Sequence, residues 1–166
     1  MMMNDVSDIT CNDQGFDVTL DMGPGWRIDE GAEPSMDAWL DRAKKDSNAG
    51  EVGMYLTHNG VVRATPRLQV RAENEAEKEK GALLGKVASI DFSYDSDGLI
   101  AAVKAARELP GVHYVRVWLN EGTLRVGDSL MYVLIGADIR PHAVDALQEL
   151  VATIKNELVV EHENYE

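Results

Sequence analysis

The sequence is poor in the residues and patterns that announce chemistry. Its 166 residues contain a single cysteine, Cys11, so no intrachain disulfide can form, and a lone thiol near the N-terminus suits a reducing compartment. No apolar run approaches the roughly 18 residues that a bilayer-spanning helix needs. The opening MMMNDVSDITCNDQG has neither the basic start nor the apolar stretch of a secretory signal. The expected address is the cytoplasm. Positive charge is also scarce: 16 basic against 29 acidic residues give a formal net charge of −13. Such a surface repels phosphate backbones and anionic lipids, which argues against nucleic acid or membrane as partners. It leaves room for a small, local basic pocket.

Familiar motifs are missing as well. There is no GxGxxG or Walker loop to cradle a phosphate, and no CxxC or HExxH to hold a metal. His58, His113, His142 and His162 are isolated from one another, so no metal site is expected.

What is present is the pattern of one globular domain. The length suits a single main core, and hydrophobic residues at 45% with charged ones at 27% are in ordinary proportion. Residues 1–25 read as a leader with strand character over 16–22, closed by the turn Gly23-Pro24-Gly25; residues 26–166 form the domain. A helix is expected over 35–45, capped by Ser35, with Met36, Trp39, Leu40 and Ala43 on one face. A strand over 51–57 meets Asn59-Gly60, the strongest hairpin signal in the chain, which predicts a return through Val61-Val62-Arg63. The run RAENEAEKEK (71–80) reads as a solvated excursion or the tip of an arm.

Strand character over 83–92 leads to a helix over 97–109, which Pro110-Gly111 stops. Val115, Val117 and Leu119 alternate in a strand over 112–119. SLMYVLIG (129–136) is apolar throughout, as a central strand buried on both faces requires. Between these two lies the turn-rich EGTLRVGD (121–128). A last helix starts near Pro141 and carries Val144, Leu147, Leu150, Val151 and Ile154 as its apolar stripe. The terminal VEHENYE reads as a frayed, solvated tail. Mixed strands with three helices argue for a two-layer α+β sandwich.

Three basic residues stand out by position. Arg63 ends a strand in NGVVRATPR, Arg140 joins the apolar strand to the last helix in GADIRPH, and Lys155 closes that helix. At about 100° per residue, Lys155 falls at the border of the apolar stripe. An amine there can be partly desolvated, which favours its neutral, nucleophilic form. The same lysine also suits the negative end of the helix dipole, and the two arginines can simply cap a loop and flank a strand.

Taken in order, GEVGMYLTHNGVVRATPR (50–67), EGTLRVGD (121–128) and ADIRPHAVDALQELVATIK (137–155) resemble the catalytic large subunit of molybdopterin synthase. NGVVR resembles that family's GxVR-type strand end, and GTLRVGD its GxLxxGD-type turn. Arg140 and Lys155 keep the spacing of an arginine and a catalytic lysine at the two ends of its last helix. The resemblance spans about residues 26–160 and marks a diverged member. Ile139 stands where the family has histidine. LVVEHENYE replaces the closing Pro-x-W-K-type segment, and His162 takes by count the place of its second lysine.

The resemblance implies a two-layer α/β hammerhead with a mainly antiparallel sheet, assembled as a homodimer. It implies a sulfurtransferase that accepts the C-terminal Gly-Gly tail of a small ubiquitin-like carrier. The carrier's thiocarboxylate supplies sulfur to a cyclic pyranopterin phosphate, making the dithiolene of molybdopterin, with no cofactor or metal required. Lys155 and His162 are the implied catalytic residues. Arg63, Arg140 and Arg67 are the implied binders of phosphate or carboxylate. Two other functions fit the same residues: an altered relative that only docks a ubiquitin-like tail, and a small-molecule-sensing dimeric α+β domain.

Overall fold

Strands β6 (Val112–Leu119) and β8 (Ser129–Ala137) are buried at nearly every position because each is covered on both faces. The computed structural model describes residues 9–11 and 18–166. The two strands pair antiparallel at the heart of a six-stranded sheet that also holds β1 (Ile9–Cys11), β2 (Val18–Asp21), β3 (Trp26–Asp29) and β4 (Met54–Val61). The order is β1-β2-β3-β6-β8-β4. Only β3–β6 is parallel; the other pairs are antiparallel. The expected strand over 16–22 is seen from residue 18, its first two residues lying outside the described ones. Because β2 pairs with β3, the boundary expected at residue 25 falls inside this sheet.

Alternation along β6 decides what packs where. Val115, Val117 and Leu119 join Met131, Val133 and Ile135 of β8 in the main core. Against them lie Leu99, Val103 and Ala106 of α4 (Ser96–Arg107) and Ala143, Ala146 and Leu150 of α5 (Arg140–Thr153). Each Val, Leu, Ile or Met among them stabilises the fold by about 1.5–3 kcal/mol on burial. On the opposite face, Tyr114, Trp118 and Leu134 meet Trp39 and Ala43 of α1 (Met36–Ala43), whose N-cap is Ser35 as expected.

Two charged residues are buried under α1. Arg116 donates to Asp29 through Nε (3.0 Å) and a terminal nitrogen (2.9 Å), and the same carboxylate accepts from Trp39 Nε1 at 3.0 Å and Thr19 Oγ1 at 3.3 Å. The Arg116 guanidinium also lies 4.9 Å from the Trp39 ring centre. A bidentate, charge-assisted pair of this kind ties β3, β6 and α1 into one unit.

A smaller antiparallel sheet, β7-β5-β9, completes the fold. Its strands are β5 (Val87–Tyr94), β7 (Gly122–Arg125, within the turn-rich segment) and β9 (Val159–Tyr165). Ile90, Phe92 and Leu124 carry it onto the main core. This is the expected α+β class with mainly antiparallel sheets.

Three local expectations are corrected. Asn59-Gly60 makes no hairpin: β4 runs straight through it along β8, with a bulge at Gly60/Val61. Asn59 donates its side-chain amide to Ser129 Oγ (3.1 Å) and the Met131 carbonyl (3.2 Å), and Gly60 is absent from the glycines with positive φ, which a hairpin turn of this type needs. The charged run 71–80 is solvated as expected but is no extended arm, because α3 (Glu75–Ala82) folds over most of it and pairs with α2 (Arg67–Val70) just before it. Asn74 caps α3 through Glu77 N–H. Gly81 permits the close approach of the pair, since a Cβ there would collide with the backbone of Gln69. Finally, VEHENYE is not frayed: it forms most of β9, paired along the length of β5.

Candidate functional site

The end of β4, the end of α5 and two short segments converge on a cavity of about 650 Å³. That volume suits a small organic ligand. β4 contributes His58 and Gly60, which share a face because strand side chains alternate. After the bulge, Val62 is pinned by two backbone bonds: its N–H donates to the Asp128 carbonyl, and its carbonyl accepts from Gly127 N–H. With Val62 buried at 2% exposure, Arg63 is held at the cavity wall.

The opposite wall is helical. Leu147, Val151 and Lys155 recur every four residues, so they lie on one face. At its end α5 widens into a π-helical turn, Ile154–Leu158, and Ile154 is fully buried there. The anchored turn sets the direction of Lys155, and turns of this type are frequent at functional sites. Lys155 keeps only 22% of its side chain exposed, and its Nζ lies 3.5 Å from Glu161 Oε1 of β9. Arg67 and Arg71 reach the cavity from one face of α2 and its end, and Glu163 Oε1 accepts from the Arg67 backbone N–H at 2.8 Å.

Four cations, Arg63, Arg67, Arg71 and Lys155, therefore line one cavity of a chain whose net charge is −13. Glu161 and Glu163 are the carboxylates among its lining residues. Positive charge focused in a partly enclosed, partly apolar space attracts and orients an anion, and arginine forks suit phosphate or carboxylate. His58 is the remaining titratable group. Burial holds its imidazole below the usual histidine pKa, and the nearby Lys155 charge adds to the effect. Its Nε2 is buried, and no group among the described residues pairs with it.

The structure thus brings together Arg63, Arg67 and Lys155, but not Arg140 or His162. Arg140 is exposed in the first turn of α5, about 22 Å along the helix from Lys155 at 1.5 Å per residue. His162 is exposed, stands opposite Asp91 of β5, and lines a neighbouring hollow rather than this cavity. Among the lining residues that escaped the sequence reading are Arg71 and His58. Arg71 was hidden in a run taken as solvated, although its spacing from Arg67 is that of one helix face. His58 seemed isolated because its companions arrive from α2, α5 and β9. Among the described residues no three His, Cys, Asp or Glu side chains are grouped to hold a metal ion, and no helix is long and apolar enough to cross a membrane.

Comparison with known proteins gives this geometry a context. The profile of the MoaE protein family matches residues 33–157. No curated protein matches the sequence significantly. Among solved structures, a molybdopterin biosynthesis MoaE protein from Burkholderia ambifaria is similar with a TM-score of 0.58 at 16% identity, over 86% of each chain. Molybdopterin synthase from Staphylococcus aureus gives 0.57 at 14% identity, over 82% of this chain and 90% of that one. A complex of subunits 1 and 2 of molybdopterin-converting factor from Helicobacter pylori gives 0.55 at 14% identity, over 83% of each chain. At these identities the likeness is one of fold.

Proposed function

The chain belongs to the MoaE protein family, and on that premise we propose that it is the large subunit of a molybdopterin synthase. In this reading it transfers sulfur from the C-terminal thiocarboxylate of a small ubiquitin-like carrier to a cyclic pyranopterin phosphate. The observation that carries the reading is the cavity itself: three arginines and a lysine gathered on a strongly acidic chain. Both reactants are anionic where they must be held, one at its phosphate and one at its tail. The Helicobacter pylori neighbour, a complex of two subunits of molybdopterin-converting factor, supports a small-subunit partner here too.

The roles follow from position. Arg63 and Arg67 bind the phosphate or the carrier's tail. Lys155, at the junction of the apolar and charged walls, steers the thiocarboxylate and handles protons as sulfur leaves the carrier. Arg140 lies too far from Lys155 to serve the same cavity; in a homodimer it is free to serve the partner's. His162, outside the cavity, has no assigned step.

The reading is tested by mixing the chain with a thiocarboxylated carrier and cyclic pyranopterin phosphate. Formation of the dithiolene is expected. Binding of the carrier without any product contradicts the assignment and favours the alternative in which the chain only docks a tail, an alternative that the absence of a second lysine beside Lys155 supports.

A further inference from the structure

His58 is a histidine set among cations. Sharing its cavity are Lys155 of the π-helical turn, whose charge reaches the ring, Arg63 beyond β4, Arg67 and Arg71 from the α2 segment, and Glu161 and Glu163 of β9. β8 faces it with the apolar Val133. Its Nε2 is buried, and no group among the described residues pairs with it, an arrangement that costs free energy unless something answers it. Protonation of the ring turns Nε2 into a donor that needs an acceptor. An oxyanion entering the cavity provides both an acceptor and the opposite charge.

We propose that His58 is a proton-linked binding residue of this cavity: it takes up a proton from solvent as an oxyanion enters, and becomes a fifth cation holding that anion. The proposal rests on the reading of the cavity as an anion site and deepens it. Burial, and then the Lys155 charge, hold the imidazole below the usual histidine pKa. An anion within reach reverses the balance, because an opposite charge within about 4–6 Å favours the charged form of a titrating group. The consequence is an anion affinity that rises as pH falls. The oxyanion can be a phosphate or the carboxylate of an extended peptide tail, and the two need separate probes.

The experiment follows the His58 ring by NMR across pH in the full chain, assigned by comparison with His58→Gln. It is run alone, with sulfate as a non-titrating stand-in for phosphate, and with N-acetylglycylglycine as a stand-in for a tail carboxylate. The expected result is a rise of the His58 midpoint by about one unit with at least one probe; the probe that produces it identifies the anion His58 serves. If Arg63, Arg67 and Lys155 resonances respond to the probes while the His58 midpoint stays fixed, the proposal is overturned and the anion site stands. If neither probe perturbs those cations, the anion site falls, and the role of His58 with it.

Discussion

Asp29, which is buried, and His58, which is half-buried with its Nε2 out of solvent, show two opposite uses of a polar side chain. Asp29 is fully answered, accepting from Arg116, Trp39 and Thr19. Removing it leaves the Arg116 guanidinium buried and unpaired, and breaking such a pair from one side costs about 3–5 kcal/mol. Asp29→Ala is therefore expected to lower the urea midpoint by an amount corresponding to that loss, and a change below about 1 kcal/mol would show that water reaches Arg116. His58 is not answered, and burial followed by the Lys155 charge depresses its pKa. The unfolded chain then binds the proton more readily than the folded one. The contribution of His58 to stability is fully present above the unfolded value near 6.5 and is lost as pH falls below it toward the folded value. His58→Phe removes the titration. Its urea midpoint is expected to fall less than that of wild type between pH 7 and pH 5; parallel profiles would deny the linkage.

At the scale of elements, the sequence was most legible where one face of a segment meets the core. The apolar period of α4, the Ser35 cap of α1 and the two-sided burial of β8 all reappear, whereas α5 buries Ala143, Ala146 and Leu150 and leaves Val144, Leu147 and Val151 of its expected stripe half-buried. It was least legible where a distant partner decides the outcome. Asn59-Gly60 has the local chemistry of a turn, but β8 supplies a continuous ladder beside it and Ser129 an acceptor for Asn59. The terminal residues look like a tail until β5 is there to pair with them. The site followed the same rule. Arg63 and Lys155 stood out from the ends of their own elements, whereas His58 and Arg71 gain meaning only once residues of β4, α5, β9 and the α2 segment line one cavity.

β9 carries a consequence for binding. Glu161 sits 3.5 Å from Lys155 Nζ and partly neutralises its charge, so under the proposed reading it competes with an anionic ligand. Glu161→Gln should tighten sulfate binding by up to about fivefold, the equivalent of the ~1 kcal/mol that a partly exposed ion pair contributes. Unchanged or weaker affinity, read by calorimetry, would mean that Glu161 positions Lys155 rather than competing for it.

At the scale of the molecule, an acidic chain with a local basic cavity can admit small anions and peptide tails while repelling polyanions. The partner expected for such a cavity is a thin, extended chain end, and glycine alone offers a tail without side chains to obstruct entry. A ubiquitin-like carrier should therefore bind measurably weaker once its last two glycines are deleted; equal affinity for the two forms would place the docking surface elsewhere. The family match covers residues 33–157, and His162 lies beyond it, in β9 and outside the cavity. In the proposed function the chemistry therefore falls to Lys155. The measurement that bears on this most directly is the rate of dithiolene formation by wild type and by Lys155→Ala, each with thiocarboxylated carrier and cyclic pyranopterin phosphate. A variant that folds and binds the carrier normally but turns over about 10²–10⁴ times more slowly is the expected result, the usual contribution of a positioned proton-transfer group. A rate within about twofold of wild type would contradict it and remove Lys155 from the reaction.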